Sequence, residues 1–152
     1  MTNQTDAGVV LLNSNGSQLE KVANWPASVF AEQSPGWWLD FVDAQRLAVN
    51  VFGQEASSGV PLKPDAIVEL DFTSDASKVV VESQDQAFTL GDVRCAGVLP
   101  DSTDEQAGCG RCFATDAERG VVHILDGNPL QIIESIVVDE QIGLPPRSLG
   151  RF

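Results

Sequence analysis

The sequence has no long hydrophobic run and few basic residues. None of its apolar segments approaches the roughly 18 residues of a membrane-spanning helix, so we expect no membrane insertion. Nine Lys and Arg residues stand against 22 Asp and Glu residues, which gives a formal net charge of −13. Such an acidic surface repels phosphate backbones, which argues against nucleic acid as a partner, whereas a basic face on another protein would be attracted.

Cysteine is also scarce, with three residues in the whole chain. An odd number of cysteines argues against a disulfide framework and is typical of free thiols in a reducing compartment. Residues 1–6 lack the positively charged start of a secretory signal peptide. We therefore expect a cytoplasmic protein whose thiols are free.

The usual signatures of catalysis are missing as well. No glycine-rich loop is followed by the Lys-Ser or Lys-Thr pair of a phosphate-binding site. The single histidine, His123, would have to serve any Ser-His-Asp or Cys-His device, and Asp126, three residues further on, would point to the opposite face of a strand. The sequence thus predicts no catalytic residue, no cofactor and no enzyme activity.

A metal site is the main chemical alternative. The two-residue gap of Cys109-Gly110-Arg111-Cys112 is the spacing of zinc knuckles and of thiol redox motifs. Cys95 and His123 could complete a Cys₃His zinc site, although the second Cys-x-x-Cys pair of a zinc ribbon is missing. Structural cysteines, a zinc site and redox chemistry remain three separate interpretations.

The composition is that of one globular domain. The chain has 152 residues, of which 43% are hydrophobic and 20% are charged, enough to bury a core. We expect a flexible leader over residues 1–8, a domain over 9–140 and a flexible tail over 141–152. Residues 53–65 are rich in Gly, Pro and Ser and predict a linker between two halves of the domain.

Most of the domain has the pattern of short β-strands. Apolar and β-branched runs separated by turn-forming residues predict strands at 9–12, 37–42, 66–72, 78–82, 87–90, 112–114 and 121–125. The last two should form a hairpin across 116–120. Two short helices are expected, one over 44–52 after a capping Asp43 and one beginning at Pro129. The predicted fold class is therefore all-β with short helices.

The order of these pieces resembles the CheW-like family of chemotaxis coupling proteins over residues 19–136. The resemblance is carried by Lys-Val-Ala-Asn-Trp-Pro-Ala at 21–27, the strand ending in Val42-Asp43 and the Arg46-Leu47 pair that follows it. The second half continues it with the strands at 66–72 and 78–90 and with the segment 119–126, which is similar to the family's last strand.

The resemblance implies a pair of small five-stranded β-barrels that share one hydrophobic core. It also implies a non-catalytic adaptor that couples or scaffolds a receptor and histidine-kinase array, in chemotaxis or in type IV pilus motility. The implied partners are the regulatory domain of a histidine kinase or other CheW-like proteins, and a receptor in addition.

A pair of tryptophans provides the predicted protein-binding residues. Where the family has an Asn-Leu-Arg-Gly-like turn for receptor contact, this chain has Ser34-Pro35-Gly36-Trp37. Trp37 and its neighbour Trp38 face opposite sides if the segment is a strand, so one of them should be exposed. That indole either anchors a partner or merely covers one end of a barrel.

Two other functions are weighed against the adaptor, namely a zinc-stabilised binding domain and a virion or other structural β-protein. The adaptor reading assigns a set of apolar residues to the barrel interiors. We expect the following to be buried: Val42, Leu47, Ile67, Val68, Leu70, Val80, Val122, Ile124 and Leu125.

Overall fold

In a computed structural model, the described part of the chain forms ten antiparallel β-strands and one short 3-10 helix. The structure describes residues 8–30, 34–96 and 110–138, together with Pro146 and Leu149. Within this part of the chain no α-helix is present, and the all-β prediction is confirmed. The strands are β1 (Val9–Asn15), β2 (Gln18–Trp25), β3 (Ser34–Phe41), β4 (Arg46–Phe52), β5 (Ala66–Asp71), β6 (Ala76–Glu82), β7 (Leu90–Ala96), β8 (Arg111–Asp116), β9 (Val121–Asp126) and β10 (Gln131–Val137). The 3-10 helix, Ala27–Phe30, follows β2.

The strands form three sheets. β1 and β2 make a two-stranded hairpin, β3 to β6 pair in chain order in a second sheet, and β7 to β10 pair in chain order in a third. β7 lies against β3 and β4, and β10 comes close to β6. The β3–β6 sheet is thus the middle layer of the molecule, and the described strands do not close into a barrel.

The core lies on both faces of the middle sheet. In β4, Leu47, Val49 and Val51 belong to a cluster that also contains Trp25 of β2. The intervening Ala48 faces the opposite cluster, between the middle sheet and the β7–β10 sheet. Because both faces of the middle sheet are covered, its central strands carry apolar residues at consecutive positions.

Both predicted helices are wrong. Residues 46–52 form β4, a central strand whose first six residues are all buried. Its apolar residues at positions 47, 49 and 51 follow the strand period, with Arg46, Ala48 and Asn50 on the other face. The helix was predicted because Leu47, Val51 and Phe52 also fit a helical spacing. The stretch after Pro129 forms β10, paired with β9, and not a helix.

Other boundaries differ in smaller ways. The strand predicted at 87–90 begins only at Leu90. The predicted linker 53–65 joins β4 to β5, which pair in one sheet, and it is folded back on itself by two isolated β-bridges. Residues 1–7 of the leader lie outside the described part of the chain, whereas in the tail Pro146 is buried and the Leu149 amide donates to Asp92 Oδ2 at 3.1 Å.

The predicted core agrees with the structure in six of nine positions, since Val42, Leu47, Ile67, Val68, Leu70 and Leu125 are buried. Val80, Val122 and Ile124 are half-buried. In β9 the fully buried residues are Val121, His123 and Leu125, so Val122 and Ile124 occupy the outer face.

Candidate functional site

The structure describes one of the two predicted binding tryptophans. Trp38 is half-buried, packs against the core between the two large sheets, and carries the guanidinium of Arg94 5.1 Å from its ring centroid. The side chain of Trp37 lies outside the described residues. Trp38 therefore contributes to packing, and which of the two indoles contacts a partner stays a prediction.

Three of the four proposed zinc ligands, Cys95, Cys112 and His123, lie in the described part of the chain, and the two cysteines are bonded to each other. Cys95 and Cys112 lie opposite each other in the β7–β8 ladder and form a disulfide. Cys109 lies outside the described residues. The expectation of free thiols is thus wrong for this pair, because register, which the cysteine count does not reveal, decides which thiols meet. Among the residues that the structure describes, no group of three or more His, Cys, Asp or Glu side chains could hold a metal ion.

His123 is buried and both of its ring nitrogens are engaged. Nε2 lies 3.1 Å from Asp116 Oδ2, and Nδ1 lies 2.8 Å from Ser135 Oγ. A carboxylate only accepts, so in the neutral ring Nε2 donates to Asp116 and Nδ1 accepts from the Ser135 hydroxyl. Burial would raise the pKa of Asp116, but hydrogen bonds from His123 and Arg119 outweigh it, and the net pKa is lowered.

This Ser135-His123-Asp116 chain has the order of a nucleophile, a base and an orienting carboxylate. Two features favour a structural role instead. Ser135 is the direct cross-strand partner of His123, and the charge of Asp116 is already matched by an ion pair with Arg119. Arg119 also donates to the carbonyl of Glu82. The chain therefore satisfies a buried imidazole and ties β10 to β8 and β9.

We expect Ser135 to be unreactive as a nucleophile. A fluorophosphonate probe should leave Ser135 unmodified in the folded protein, because Arg119 shares the carboxylate that would stabilise an imidazolium. Intact mass and peptide mapping measure the outcome, with a known serine hydrolase treated in parallel. Labelling of Ser135 that disappears in the His123→Ala variant would show a catalytic device and contradict the expectation that the chain is not an enzyme.

A second polar network holds the beginning of β10. Arg46 Nη1 donates to Glu69 Oε1 at 2.9 Å and to the carbonyl of Gly127 at 2.8 Å, while its Nε donates to Asp43 at 2.7 Å. The other oxygen of Glu69 accepts the amide of Leu130 at 2.6 Å. Arg46 and Glu69 are both buried, so the middle sheet is fastened directly to the turn that leads into β10.

Although it is anchored in this way, β10 is exposed along its whole length. It is the last strand of its sheet, and all seven of its residues are exposed. Four of them are large aliphatic residues with exposed fractions of 42% to 50%, namely Ile132, Ile133, Ile136 and Val137. We call this strand, Gln131–Val137, the β10 edge. An exposed, apolar edge strand is an unusual feature, because such edges promote association.

The β1–β2 hairpin is a weaker candidate, although Val10, Leu12, Leu19 and Val22 are exposed on it. It packs on the middle sheet through residues at its base, namely Val9, Leu11, Ala23 and Trp25. The β10 edge belongs to a four-stranded sheet and is tied to the core by two polar networks, which makes it the better prepared binding surface.

This site has no clear signal in the sequence. The Ile-rich stretch at 131–137 also fits the helix predicted from Pro129, and Asp116 and Ser135 lie 7 and 12 residues from His123 along the chain. The register of β8, β9 and β10 brings these three side chains together, and no local sequence pattern signals it.

Comparison with known proteins gives no relative: no family model, no curated protein and no solved structure matches the chain. In the described part of the chain, no helix has the length and apolar character that crossing a membrane would require.

Proposed function

We propose that this chain is a protein-interaction adaptor that contacts its partner through the β10 edge. The observation that carries the proposal is that all of β10 is exposed, four large aliphatic residues included, while two buried polar networks hold the strand in place. A partner that covers this apolar surface stabilises the complex by about 25 cal/mol for each Å² of apolar area removed from water.

More specifically, the proposed adaptor is a CheW-like protein. It would act without catalysis between receptors and a histidine kinase, in chemotaxis or type IV pilus motility. The resemblance along residues 19–136 supports this more specific proposal. Such an adaptor works in the cytoplasm, where the Cys95 and Cys112 side chains would meet a reducing environment.

The net charge of the molecule favours one kind of partner over others. With a net charge of −13, the surface favours a protein with a basic docking face over nucleic acid or an anionic membrane. The proposed partners are the regulatory domain of a histidine kinase, another CheW-like protein or a receptor.

Site-specific photocrosslinking in the native cell tests the proposal. With p-benzoylphenylalanine in place of Ile136 we expect a discrete crosslinked product, whose second protein is a histidine kinase, a CheW-like chain or a receptor. The matched control carries the same group in place of Asn24, an exposed residue of β2, which lies on the other side of the middle sheet. A product of another kind, or the same product from both positions, would contradict the proposal.

Affinity measurements with the purified partner then test the contribution of single side chains. Ile136→Asp should weaken the affinity by about tenfold or more, because it places a charge in an apolar contact. Val10→Asp, at an equally exposed aliphatic residue of the β1–β2 hairpin, should leave the affinity unchanged.

A further inference from the structure

We infer that the β10 edge binds an extended, basic segment of the partner as an added β-strand. This mode of recognition rests on the proposed function, in which the β10 edge is the surface that contacts the partner. The backbone of β10, the side chains beside it and the local charge each support it.

The direction of the backbone groups follows from the β9–β10 register. The amide of Val138 donates to the carbonyl of Gly120 at 2.9 Å, so these residues form a hydrogen-bonded pair. Such pairs alternate with non-hydrogen-bonded pairs in an antiparallel ladder. Val137 opposite Val121 and Ser135 opposite His123 are therefore non-hydrogen-bonded pairs, whose N–H and C=O groups point away from β9.

These outward groups are available to a partner. Among the described strands, β10 pairs with β9 alone. Ser135 and Val137 thus each present one donor and one acceptor at the spacing of a ladder, which an extended peptide can satisfy from end to end. Polar groups already displayed at this spacing are the requirement for strand addition.

The side chains flank the edge on both faces. Ile136 lies opposite Val122 on the outer face, whereas Val137 lies opposite Val121 on the face that continues the core. An added strand would place its alternate side chains beside these two residues. Apolar residues are favoured beside Val137, whereas the outer face, which Ile136 shares with Glu134, accepts the aliphatic stems of basic residues.

Charge decides between a foreign segment and a second copy. Glu134 is the one charged residue of β10, and the whole chain carries −13. Two copies joined edge to edge about Ser135 would set their Glu134 side chains as diagonal neighbours at about 7 to 8 Å, which like charges oppose. A Lys or Arg in a segment of another protein would instead attract Glu134. The bound segment is therefore extended and contains both basic and apolar residues.

The test uses the full chain and a short synthetic peptide of alternating Val and Lys. We expect saturable binding, and slower hydrogen exchange at the Ser135 and Val137 amides in the bound protein, since these amides become ladder donors. A peptide with Glu in place of Lys should bind at least about tenfold more weakly, because it meets Glu134 with like charge.

Two variants at position 137 distinguish the contribution of the backbone N–H to peptide binding from that of the side chain. Val137→Pro removes an outward N–H without taking a bond from the β9–β10 ladder, and should weaken peptide binding by about tenfold. Val137→Ala keeps that N–H and should weaken binding by about threefold or less, since only part of one side chain is lost.

Several outcomes would overturn the inference. These are no saturable binding at millimolar peptide, equal losses in the two variants, or unchanged exchange at Ser135 and Val137, a readout that needs no variant to fold. A dimer in sedimentation that becomes monomeric in Val137→Pro would assign the edge to a second copy. If strand addition alone is wrong, crosslinking from Ile136 to the proposed partners persists; if the adaptor function is wrong, that crosslinking fails as well.

Discussion

Replacing Arg46 with alanine should lower the free energy of unfolding by about 3 to 5 kcal/mol, because it leaves the carboxylate of Glu69 buried without a counter-charge. Burial by itself would lower the pKa of Arg46, but the hydrogen bonds and charges of Asp43 and Glu69 raise it, so the guanidinium stays charged. Chemical denaturation followed by tryptophan fluorescence measures the change.

Arg111 provides the matched control. Its guanidinium also pairs with a carboxylate, that of Asp126 at 3.0 Å, but its side chain is 50% exposed against 7% for Arg46. Arg111→Ala should therefore cost no more than about 1 kcal/mol. Equal losses in the two variants would mean that the Arg46 network is not the buried link between the middle sheet and the turn before β10.

Removing the disulfide should have the next largest effect. The double variant Cys95→Ala, Cys112→Ala should have a free energy of unfolding about 3 kcal/mol lower than that of the oxidised wild type. The disulfide restricts the conformations of the unfolded chain by linking residues 17 positions apart. Thermal or denaturant unfolding in the presence and absence of a thiol reductant measures it.

Unfolding with and without reductant distinguishes the stabilisation by the disulfide from the side-chain packing that the alanine substitutions remove. Wild-type protein should lose most of the same free energy on reduction, whereas the double variant should not respond. If reduction leaves the wild type unchanged and free thiols are found at both positions by alkylation, Cys95 and Cys112 are not bonded in the purified protein.

Several elements could be predicted because their signals are local. The hairpin of β8 and β9 is marked by two apolar runs around Asp116 to Gly120, and the structure places a four-residue turn there, closed by the Arg119 amide on Asp116 Oδ1. β3, β5 and β6 were found for the same reason. Turn-forming residues and β-branched runs act within a few residues, so the sequence displays them directly.

The errors arise where distant parts of the chain meet. The helix predicted over β4 is wrong because Leu47, Val51 and Phe52 fit a helical spacing as well as a strand, and the sequence does not say that Arg46 and Asn50 are buried on the other face. β10 was mistaken because Ile132, Ile133 and Ile136 fit a helical face, while their exposure and their pairing with β9 come from the assembled sheet.

By itself, the sequence determined that this protein is an acidic, predominantly β-stranded domain, because composition, turn chemistry and β-branched runs are properties of the chain. Only the tertiary structure decided the chemistry of its special residues. Cys95 meets Cys112, His123 meets Asp116 and Ser135, and Glu69 meets Leu130 through strand register and sheet packing. A shift of one residue in register would turn each side chain to the other face, and no local pattern specifies that register.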